Sequence, residues 1–354
     1  MPDFKSTPGF ASILGQQKPV RLLTTLLRNG TIPHAILFTG IEGVGKLSTA
    51  MAFAMACNCL SLAPEQTCKE AKRFQTASKR VESLNPCGSC KSCRKIISNN
   101  HPDIIKVEPS GAFIKIEQIR TLCHTLAMKP FEARLRVVIL SGAQAMTAAA
   151  GNALLKVLEE PPDRTILILT ARQTSELLPT IVSRCQHIRF HPILREHLEP
   201  MLIEKQGASA DEASIIATMA NGSFAKAFSM IAHKNRINWI NRRNWLIHEV
   251  DALPSKPIGS ALALAAKLSK NKEWLTESLE IIKSYLRDLV IYKYYPEKIM
   301  NRDLGDQIQR SSQKMAVASL LSKINDIQSA QKEIQTNTNL RLALEVLAMR
   351  LAKL

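Results

Sequence analysis

The sequence has few aromatic residues, fewer acidic than basic residues, and no long apolar run. Aromatic residues make up 5% of the 354 residues, and the hydrophobic share of 45% is ordinary for globular chains, which argues against wholesale disorder. No apolar run approaches the roughly 18 residues that a membrane-spanning helix requires. Residues 1–10 lack a basic segment followed by an apolar one. We therefore expect no secretory signal, no membrane partner and a cytoplasmic protein.

The deficit of acidic residues leaves a strongly basic chain. Lys and Arg number 47 against 30 for Asp and Glu, which gives a net charge of +17. This surplus permits contact with the phosphates of nucleic acid or nucleotide, and it is equally consistent with a basic solvated surface. At about 150 residues per domain, the length predicts two or three domains.

The first half of the chain predicts an α/β domain over residues 1–192, with a mostly parallel sheet and helices on both faces. In this half, short β-prone runs alternate with helical patterns, as they do in such folds. The β-prone runs are 35–39, 104–107, 137–140, 165–170 and 187–190. The helical patterns are 19–28, 46–59, 90–98, 116–127 and 147–159, and the proline pair that follows ends the last of them.

After residue 192 the β-prone runs stop, and the sequence predicts helices only. Three short amphipathic segments, 195–205, 209–219 and 224–232, predict a small three-helix unit over residues 193–235. Longer periodic segments, 274–294, 315–335 and 339–354, predict a second, all-helical domain over residues 236–354. Leucines at helical spacing in the last segment are typical of core or subunit packing.

Three thiols at C-x2-C-x2-C spacing, Cys87, Cys90 and Cys93, indicate a metal site, because short turns let such side chains converge on one ion. Tetrahedral Zn(II) needs a fourth ligand, and we choose Cys59, at the end of a predicted helix. Cys57, two residues earlier on that helix, should face another direction. The prediction is a structural zinc ion, since four thiolates leave no open position for a catalytic water.

Other ligands and other ions stay open for this module, which we expect to span about residues 57–95. A polar insertion of 27 residues, 60–86, separates Cys59 from the other three thiols. Cys68, inside the insertion, and His101 could each serve as the fourth ligand instead. An iron–sulfur cluster and unligated thiols are the alternatives to zinc.

A phosphate-binding loop is predicted between the first β-prone run and the helical pattern that follows it. Gly40, Gly43, Gly45 and Lys46 fit the pattern G-x4-G-K. In this context, backbone N–H groups and the helix N-terminus wrap phosphates while the lysine neutralises them. The next residue departs from the pattern, because Leu47 stands where a Ser or Thr hydroxyl should hold Mg²⁺. ATP binding and a purely structural glycine turn both stay open.

Carboxylates for nucleotide hydrolysis are missing as well. Hydrolysis needs an acidic pair at the end of a later strand, to support Mg²⁺ and to position the attacking water. This pair should come directly after the apolar run 137–140, but the residues there are Ser141 and Gly142. We therefore expect no intrinsic hydrolysis, even if nucleotide binds.

Taken in order, these residues resemble a known family, the bacterial replicative clamp loader within the AAA+ superfamily. The resemblance covers about residues 10–230, and the helical remainder is similar to the family's collar domain in character only. The points of likeness in chain order are Gly15-Gln16-Gln17, His34-Ala35, the glycine loop, the four cysteines, His101-Pro102-Asp103, residues 152–162, Ser183-Arg184-Cys185 and Gly222-Ser223.

The resemblance implies an AAA+ base domain, a small helical lid and a collar that oligomerises. In this family the motor subunits, gamma and tau, carry the P-loop threonine, the acidic pair and a lid arginine, where this chain has Ala225. Their absence implies the non-hydrolysing member of the family. The resemblance also implies that Arg184, between Ser183 and Cys185, acts as an arginine finger in the ATP site of a neighbouring motor subunit. An ordinary salt bridge is the alternative for Arg184.

The partners implied by the resemblance are the gamma/tau motor subunits, the delta subunit, the ring-shaped sliding clamp and primer–template DNA. Two other functions stay open. An ATP-hydrolysing motor would need Mg²⁺ ligands from residues that the pattern does not identify. A free-standing zinc protein that binds nucleic acid would explain the cysteines and the charge, but it would leave the motif around Arg184 unexplained.

Overall fold

The computed structural model describes residues 9–62, 84–232, 236–270, 272–335 and 339–353. Contacts within the chain group it into two compact units. Unit 1 comprises Met1–Leu198 and Asn221–Lys226, and unit 2 comprises Glu199–Ala220 and Ala227–Leu354. The three-part division at residues 192 and 235 stays a prediction from the sequence.

Unit 1 is built on a sheet of five parallel strands in the order β2-β3-β4-β1-β5. The strands are β1 Ala35–Thr39, β2 Ile104–Val107, β3 Arg136–Leu140, β4 Thr165–Ala171 and β5 Gln186–Arg189. Every residue of β1, β3 and β4 is buried, as expected for strands that are covered on both faces. The predicted parallel α/β domain is therefore confirmed.

The helices of unit 1 alternate with these strands. They are α1 Gln17–Asn29, α2 Lys46–Asn58, α3 Lys91–Ile97, α4 Ile116–Leu126, α5 Ala148–Glu159 and α6 Pro179–Val182. Local chemistry explains where α5 begins and ends. The Thr147 hydroxyl caps its first turn by accepting the Ala150 N–H at 3.2 Å, and Pro161 and Pro162 cannot continue it.

The main core of unit 1 lies between one face of the sheet and helices α4 and α5. Alternate residues of the central strands, such as Leu37, Val138 and Leu167, pack with Leu122 of α4 and Leu154 of α5. All five side chains are almost completely excluded from water. Burial on this scale contributes about 1.5–3 kcal/mol per large aliphatic side chain.

A buried ion pair fixes the loop between α4 and β3. The Asp103 carboxylate accepts the backbone N–H groups of Phe131, Glu132 and Ala133, each at 2.8 Å, and lies 3.5 Å from the Arg136 guanidinium. Burial raises the pKa of Asp103, but the backbone hydrogen bonds and Arg136 outweigh it and lower that pKa overall. The His-Pro-Asp sequence at this point is explained by a structural role of its aspartate.

The described residues after β5 form helices and no strand, as predicted. The helices are α7 Arg195–Gln206, α8 Ala210–Ala220, α9 Phe224–Ala232, α10 Arg236–Ala252, α11 Ile258–Lys270, α12 Lys272–Tyr292, α13 Gly305–Lys314, α14 Val317–Gln335 and α15 Leu340–Ala352. None of the helices in the described ranges is long and apolar enough to cross a membrane.

A buried polar network ties helices α10 and α12 of unit 2 to the residues before α13. The Arg243 guanidinium is fully buried and pairs with Asp303 at 2.7 Å and with the Asn301 side chain at 2.7 Å. The buried Asp288 carboxylate accepts the Asn301 backbone N–H at 2.7 Å. Such charges are tolerated inside a helical domain because each has a charged or hydrogen-bonding partner.

Candidate functional site

The glycine loop adopts a phosphate-loop backbone between β1 and α2. Gly40, Gly43 and Gly45 have φ angles of +141°, +75° and +102°, which residues with a side chain rarely adopt. Gly45 is the N-cap of α2, and its carbonyl accepts the Thr49 N–H at 2.9 Å. The loop therefore leads directly into a helix N-terminus, as an anion-binding loop does.

The lysine of this loop is turned back onto the loop itself. The Lys46 ammonium donates to the carbonyl oxygens of Gly40 and, at 2.8 Å, of Ile41. Burial lowers the pKa of Lys46 to about 8, against the opposing effect of the Glu42 carboxylate. The charge that would neutralise a phosphate is thus engaged with backbone carbonyls of the loop.

Residues 222–225, which we call the cover segment, lie against the glycine loop within unit 1. The Ala225 N–H donates to the Gly43 carbonyl at 3.1 Å. A Cβ atom placed on Gly43 would lie 2.3 Å from the Ser223 Oγ and 2.8 Å from the Ala225 Cβ. The cover segment therefore packs on Gly43 so closely that only glycine fits there.

The carboxyl end of β3 lies at the same sheet edge as the glycine loop, since the strands are parallel. Ser141 and Gly142 occupy this end, and the Gly142 N–H donates to Thr170 Oγ1, at the corresponding end of β4, at 3.1 Å. The first two residues after β3 are thus a serine, which offers a hydroxyl, and a glycine, which has no side chain; neither offers a carboxylate.

The four predicted cysteines converge on one point. The Sγ atoms of Cys59, Cys87, Cys90 and Cys93 all lie within 4.8 Å of one another. Sulfur ligands of tetrahedral Zn(II), at about 2.3 Å from the ion, lie about 3.8 Å apart, so the cluster fits zinc with little adjustment. Helix α2 ends immediately before Cys59, and Cys90 is the N-cap of α3. Two helix ends therefore fix the geometry.

Backbone N–H groups already point at the sulfurs. The Cys87 N–H donates to Cys59 Sγ at 3.4 Å, the Cys90 N–H to Cys87 Sγ at 3.3 Å and the Cys93 N–H to Cys90 Sγ at 3.4 Å. The hydrogen bond from the Cys93 thiol lowers the pKa of Cys59 to about 4, and the same contact raises the pKa of Cys93. These donors stabilise negative sulfur, which is the form that binds a metal.

The alternative ligands lie elsewhere or outside the described residues. Cys57 is completely buried apart from the cluster, and burial raises the pKa of its thiol to about 12. His101 is not in the group of ligand atoms, and its Nδ1 accepts the Asp103 N–H at 3.2 Å. Cys68 lies outside the described residues. Among the described residues, the group of potential ligands is the predicted set of four.

Arg184 follows the short helix α6, just before β5. Its Nη2 donates to Glu159 Oε1 at 2.8 Å, and its Nη1 donates to the Thr180 carbonyl at 3.0 Å. Its side chain is 36% exposed. Cys185, by contrast, packs against the main core, and burial raises the pKa of its thiol to about 11. The motif thus anchors the Cys185 side chain in the core and places the preceding side chain, Arg184, at the surface.

The arginine and the glycine loop lie at opposite edges of the sheet. β1 and β5 are parallel, with Ile36 beside Gln186 and Thr39 beside Arg189. Arg184 therefore lies near the amino end of β1, whereas the glycine loop follows its carboxyl end. At about 3.3 Å per residue, a five-residue strand separates these edges by about 15 Å. The phosphates of a nucleotide held by this loop would therefore lie at the edge of the sheet opposite Arg184.

Comparison with known families gives a match over most of the chain. A family model described as "DNA polymerase III, delta subunit" matches residues 15–81 and 71–194, which together exceed half of the chain. The chain belongs to this family. A second model, "DNA polymerase III, delta subunit, C terminal", matches residues 237–353 of this delta-family chain.

Two curated proteins are similar to this chain along nearly its whole length. The DNA polymerase III subunit delta' of Bacillus subtilis (strain 168) is 29% identical over 340 residues, which are 95% of this chain and 96% of that protein. The subunit tau of the same organism is 24% identical over 365 residues, which are 97% of this chain and 61% of tau. A gamma subunit-related protein from Thermotoga maritima covers 93% of this chain at 18% identity, with a TM-score of 0.42.

Two contacts of this delta-family chain were not identified from its sequence. The first concerns Arg184: a salt bridge was the alternative for this residue in the sequence, and its partner, which was not identified, is Glu159. The second is the packing of the cover segment on Gly43. Each joins residues that are far apart in sequence, so periodicity gives no signal for them. The adjacent acids Glu159 and Glu160 at a helix C-terminus are the one local anomaly that could have indicated the ion pair, because the helix dipole disfavours them there.

Proposed function

We propose that this chain is the non-hydrolysing, delta'-type subunit of a replicative clamp loader, which assembles with ATP-hydrolysing subunits and supplies Arg184 to one of them. The observation that carries the proposal is the contact of Ala225 with the glycine loop. Ala225 packs on Gly43, so the position where the motor subunits of the family carry a lid arginine lies against the loop and holds a methyl group instead of a charge.

The missing side chains support the absence of hydrolysis independently. Leu47 offers no oxygen to Mg²⁺, and the residues after β3, Ser141 and Gly142, offer no carboxylate to Mg²⁺ or to an attacking water. Phosphoryl transfer depends on positioning and charge stabilisation by these groups. A nucleotide bound at this loop would therefore lack the groups that activate it for hydrolysis.

Arg184 is proposed to act in trans. It is partly exposed at the sheet edge opposite the glycine loop, and this position supports a target bound by another subunit. An arginine finger stabilises the charge that develops on the transferred phosphoryl group, and in GTPases it accelerates hydrolysis by about 10³- to 10⁵-fold.

The cysteine cluster is proposed to hold one structural zinc ion through Cys59, Cys87, Cys90 and Cys93. A closed set of four thiolates would tie the end of α2 to the start of α3 and would supply no reactive water. The ion would thus fold a small module on unit 1 without taking part in a reaction.

The partners we propose are the gamma/tau motor subunits, the delta subunit, the sliding clamp and primer–template DNA, in the cytoplasm. The similarity to delta' and tau proteins supports the first of these. The net charge of +17 is compatible with contact to the DNA backbone, which should weaken with salt and show no preference for base sequence.

A second candidate is an ATP-hydrolysing motor of the gamma/tau type. The 24% identity to tau over 97% of this chain favours it. The test is therefore ATP hydrolysis with Mg²⁺, first by the isolated chain and then by its mixture with motor and delta subunits, clamp and primed DNA. We expect the isolated chain to be inactive and the mixture to need it for full turnover. Hydrolysis by the chain alone would instead establish the motor.

The role of Arg184 is tested in the same mixture. We expect Arg184→Ala to lower DNA-stimulated turnover, by up to about 10³-fold at the one site that this residue serves. The variant should assemble normally, because Arg184 is a partly exposed residue outside the main core. Full DNA-stimulated turnover by an assembled R184A complex would contradict the proposed finger.

A further inference from the structure

The exposed ion pair between Glu159 and Arg184 joins two segments of unit 1. The Arg184 Nη2 donates to Glu159 Oε1 at 2.8 Å, and the side chains are 36% and 51% exposed for Arg184 and Glu159. The Nη1 of the same guanidinium donates to the Thr180 carbonyl at 3.0 Å and lies 3.5 Å from the Ser183 Oγ. These contacts use both Nη atoms on the protein side, and the Nε–H makes no hydrogen bond with the described residues.

The position of Glu159 has no local explanation. It is the last residue of α5, and Glu160 follows it as the C-cap. A carboxylate at a helix C-terminus is disfavoured by the negative end of the helix dipole, and two in succession repel each other. A local rule that is broken in this way calls for a compensating contact elsewhere, and Arg184 supplies it.

Helix α5 also supports the segment that carries the arginine. Gly151, in the first half of α5, lies against helix α6, and a Cβ atom placed on it would come within 2.9 Å of the Leu178 Cδ1. The Ile181 side chain of α6 is fully buried beside the same helix. One end of α5 thus fixes the backbone that leads to Arg184, and its other end fixes the guanidinium.

We propose that Glu159 is a positioning residue that holds the Arg184 guanidinium in one place at this partly exposed surface, for the phosphate of a neighbouring subunit. This inference rests on the proposed function of Arg184. A free arginine side chain at a surface samples many rotamers, and restraining it before the partner arrives removes part of the entropy cost of forming the reactive arrangement. Glu159 touches no reacting atom, and it acts only through Arg184.

The expected effect is modest, because both side chains are partly exposed and solvent screens their attraction. We expect Glu159→Ala to lower the Arg184-dependent part of the DNA-stimulated kcat about two- to fivefold, the range that a surface ion pair can supply. The Arg184-dependent part is the rate of the wild-type complex minus that of the R184A complex. The KM for ATP should stay unchanged, because the loop that binds ATP belongs to the neighbouring subunit.

The experiment compares complexes reconstituted with wild-type chain, E159A, E159Q, R184A and the double variant E159A/R184A. Glu160→Ala is the matched control, since it removes the neighbouring exposed carboxylate, which makes no ion pair among the described residues. We expect E160A to match wild type. E159Q keeps an acceptor for the arginine without the charge, so it should retain more of the rate than E159A. In the double variant, removal of Glu159 should have no further effect.

The outcomes separate this inference from the proposed function beneath it. If R184A leaves the rate unchanged, the arginine finger itself fails, and positioning by Glu159 falls with it. If R184A lowers the rate but E159A matches wild type or exceeds it, only the positioning role is overturned, and a higher rate would identify Glu159 as a competitor of the phosphate. A loss by E159A that persists in the R184A background, or that appears in KM, would show a structural effect and would also overturn the inference.

Discussion

The glycine loop and the four-cysteine cluster lie at the two ends of one helix, α2. The loop has the backbone of its predicted site without all of the ligands, whereas the cluster has all four predicted ligands. At the N-terminal end, the loop retains the backbone of a phosphate site, with three glycines at positive φ, but Leu47 stands where the Mg²⁺ ligand should be. At the C-terminal end, Cys59 lies with three other thiols at metal-binding distances.

The difference shows what each end of the helix contributes. The loop is held by packing and by internal hydrogen bonds, since Gly43 contacts the cover segment and Lys46 bonds the loop carbonyls. Its backbone can therefore persist without a ligand. The cysteine side chains pack with Met55 and Ile96 in a small cluster, and the proposed ion would add bonds that join residues from both sides of the insertion 60–86.

The largest expected effect on stability comes from removing one ligand of the four-cysteine cluster. We expect Cys93→Ser to reduce bound zinc from about one ion per chain to near zero and to destabilise the chain by more than about 4 kcal/mol, since loss of a metal is among the most costly single changes. Metal analysis and denaturant unfolding would measure both. Cys57→Ala is the control, because this buried thiol lies apart from the cluster. Loss of zinc from the control instead would show that the ligand set is wrong.

An intermediate effect on stability is expected from a substitution in the glycine loop. In Gly43→Ala, a side chain at φ +75° should cost about 1–2 kcal/mol of unfolding free energy. The overlap of the new Cβ with Ser223 should cost about 1–3 kcal/mol in addition. Gly111→Ala is the matched control, because Gly111 has φ +72° and no atom within 4 Å of the new Cβ. Equal losses for the two variants in denaturant unfolding would show that the cover segment does not pack on Gly43.

The smallest effect is a pH dependence at Lys46. Because burial lowers the pKa of Lys46 to about 8, the folded chain releases this proton before the unfolded chain does. The cost of the buried charge is fully present below pH 8 and is relieved as pH rises from 8 to about 10.5. Wild type should therefore gain stability relative to Lys46→Met over this window, by up to about 1 kcal/mol once solvent screening is allowed for. Unfolding free energies of both proteins at pH 7.5 and 10 would measure the gain. If the difference between wild type and Lys46→Met were the same at both pH values, Lys46 would be solvated and its pKa not lowered.

The sequence was most informative where the physical signal is local. The bounds of β1 and β2 agree with the β-prone runs 35–39 and 104–107. For β1 the reason is that a buried parallel strand is a continuous apolar segment. The choice of Cys59 over Cys57 also agrees with the cluster, because two positions on a helix face different directions.

The sequence was least informative where contacts join distant residues. That Ala225 differs from the motor subunits was visible, but its packing on Gly43 was not, since 182 positions separate the two residues. The inward turn of Lys46 could not be predicted either, because the same lysine would point at a phosphate if one were bound. Both results depend on the tertiary structure and not on propensity or pattern.

The cover segment also determines how the chain can be divided. Asn221–Lys226 belongs to unit 1, although the residues on both sides of it belong to unit 2. The chain therefore passes between the units three times, and no single cut separates them. A protein truncated at residue 192, the predicted domain boundary, would lose Ser223 and Ala225 and would expose Gly43. Nucleotide binding measured on such a fragment would therefore not represent the loop of the intact chain, where Ser223 and Ala225 pack on Gly43.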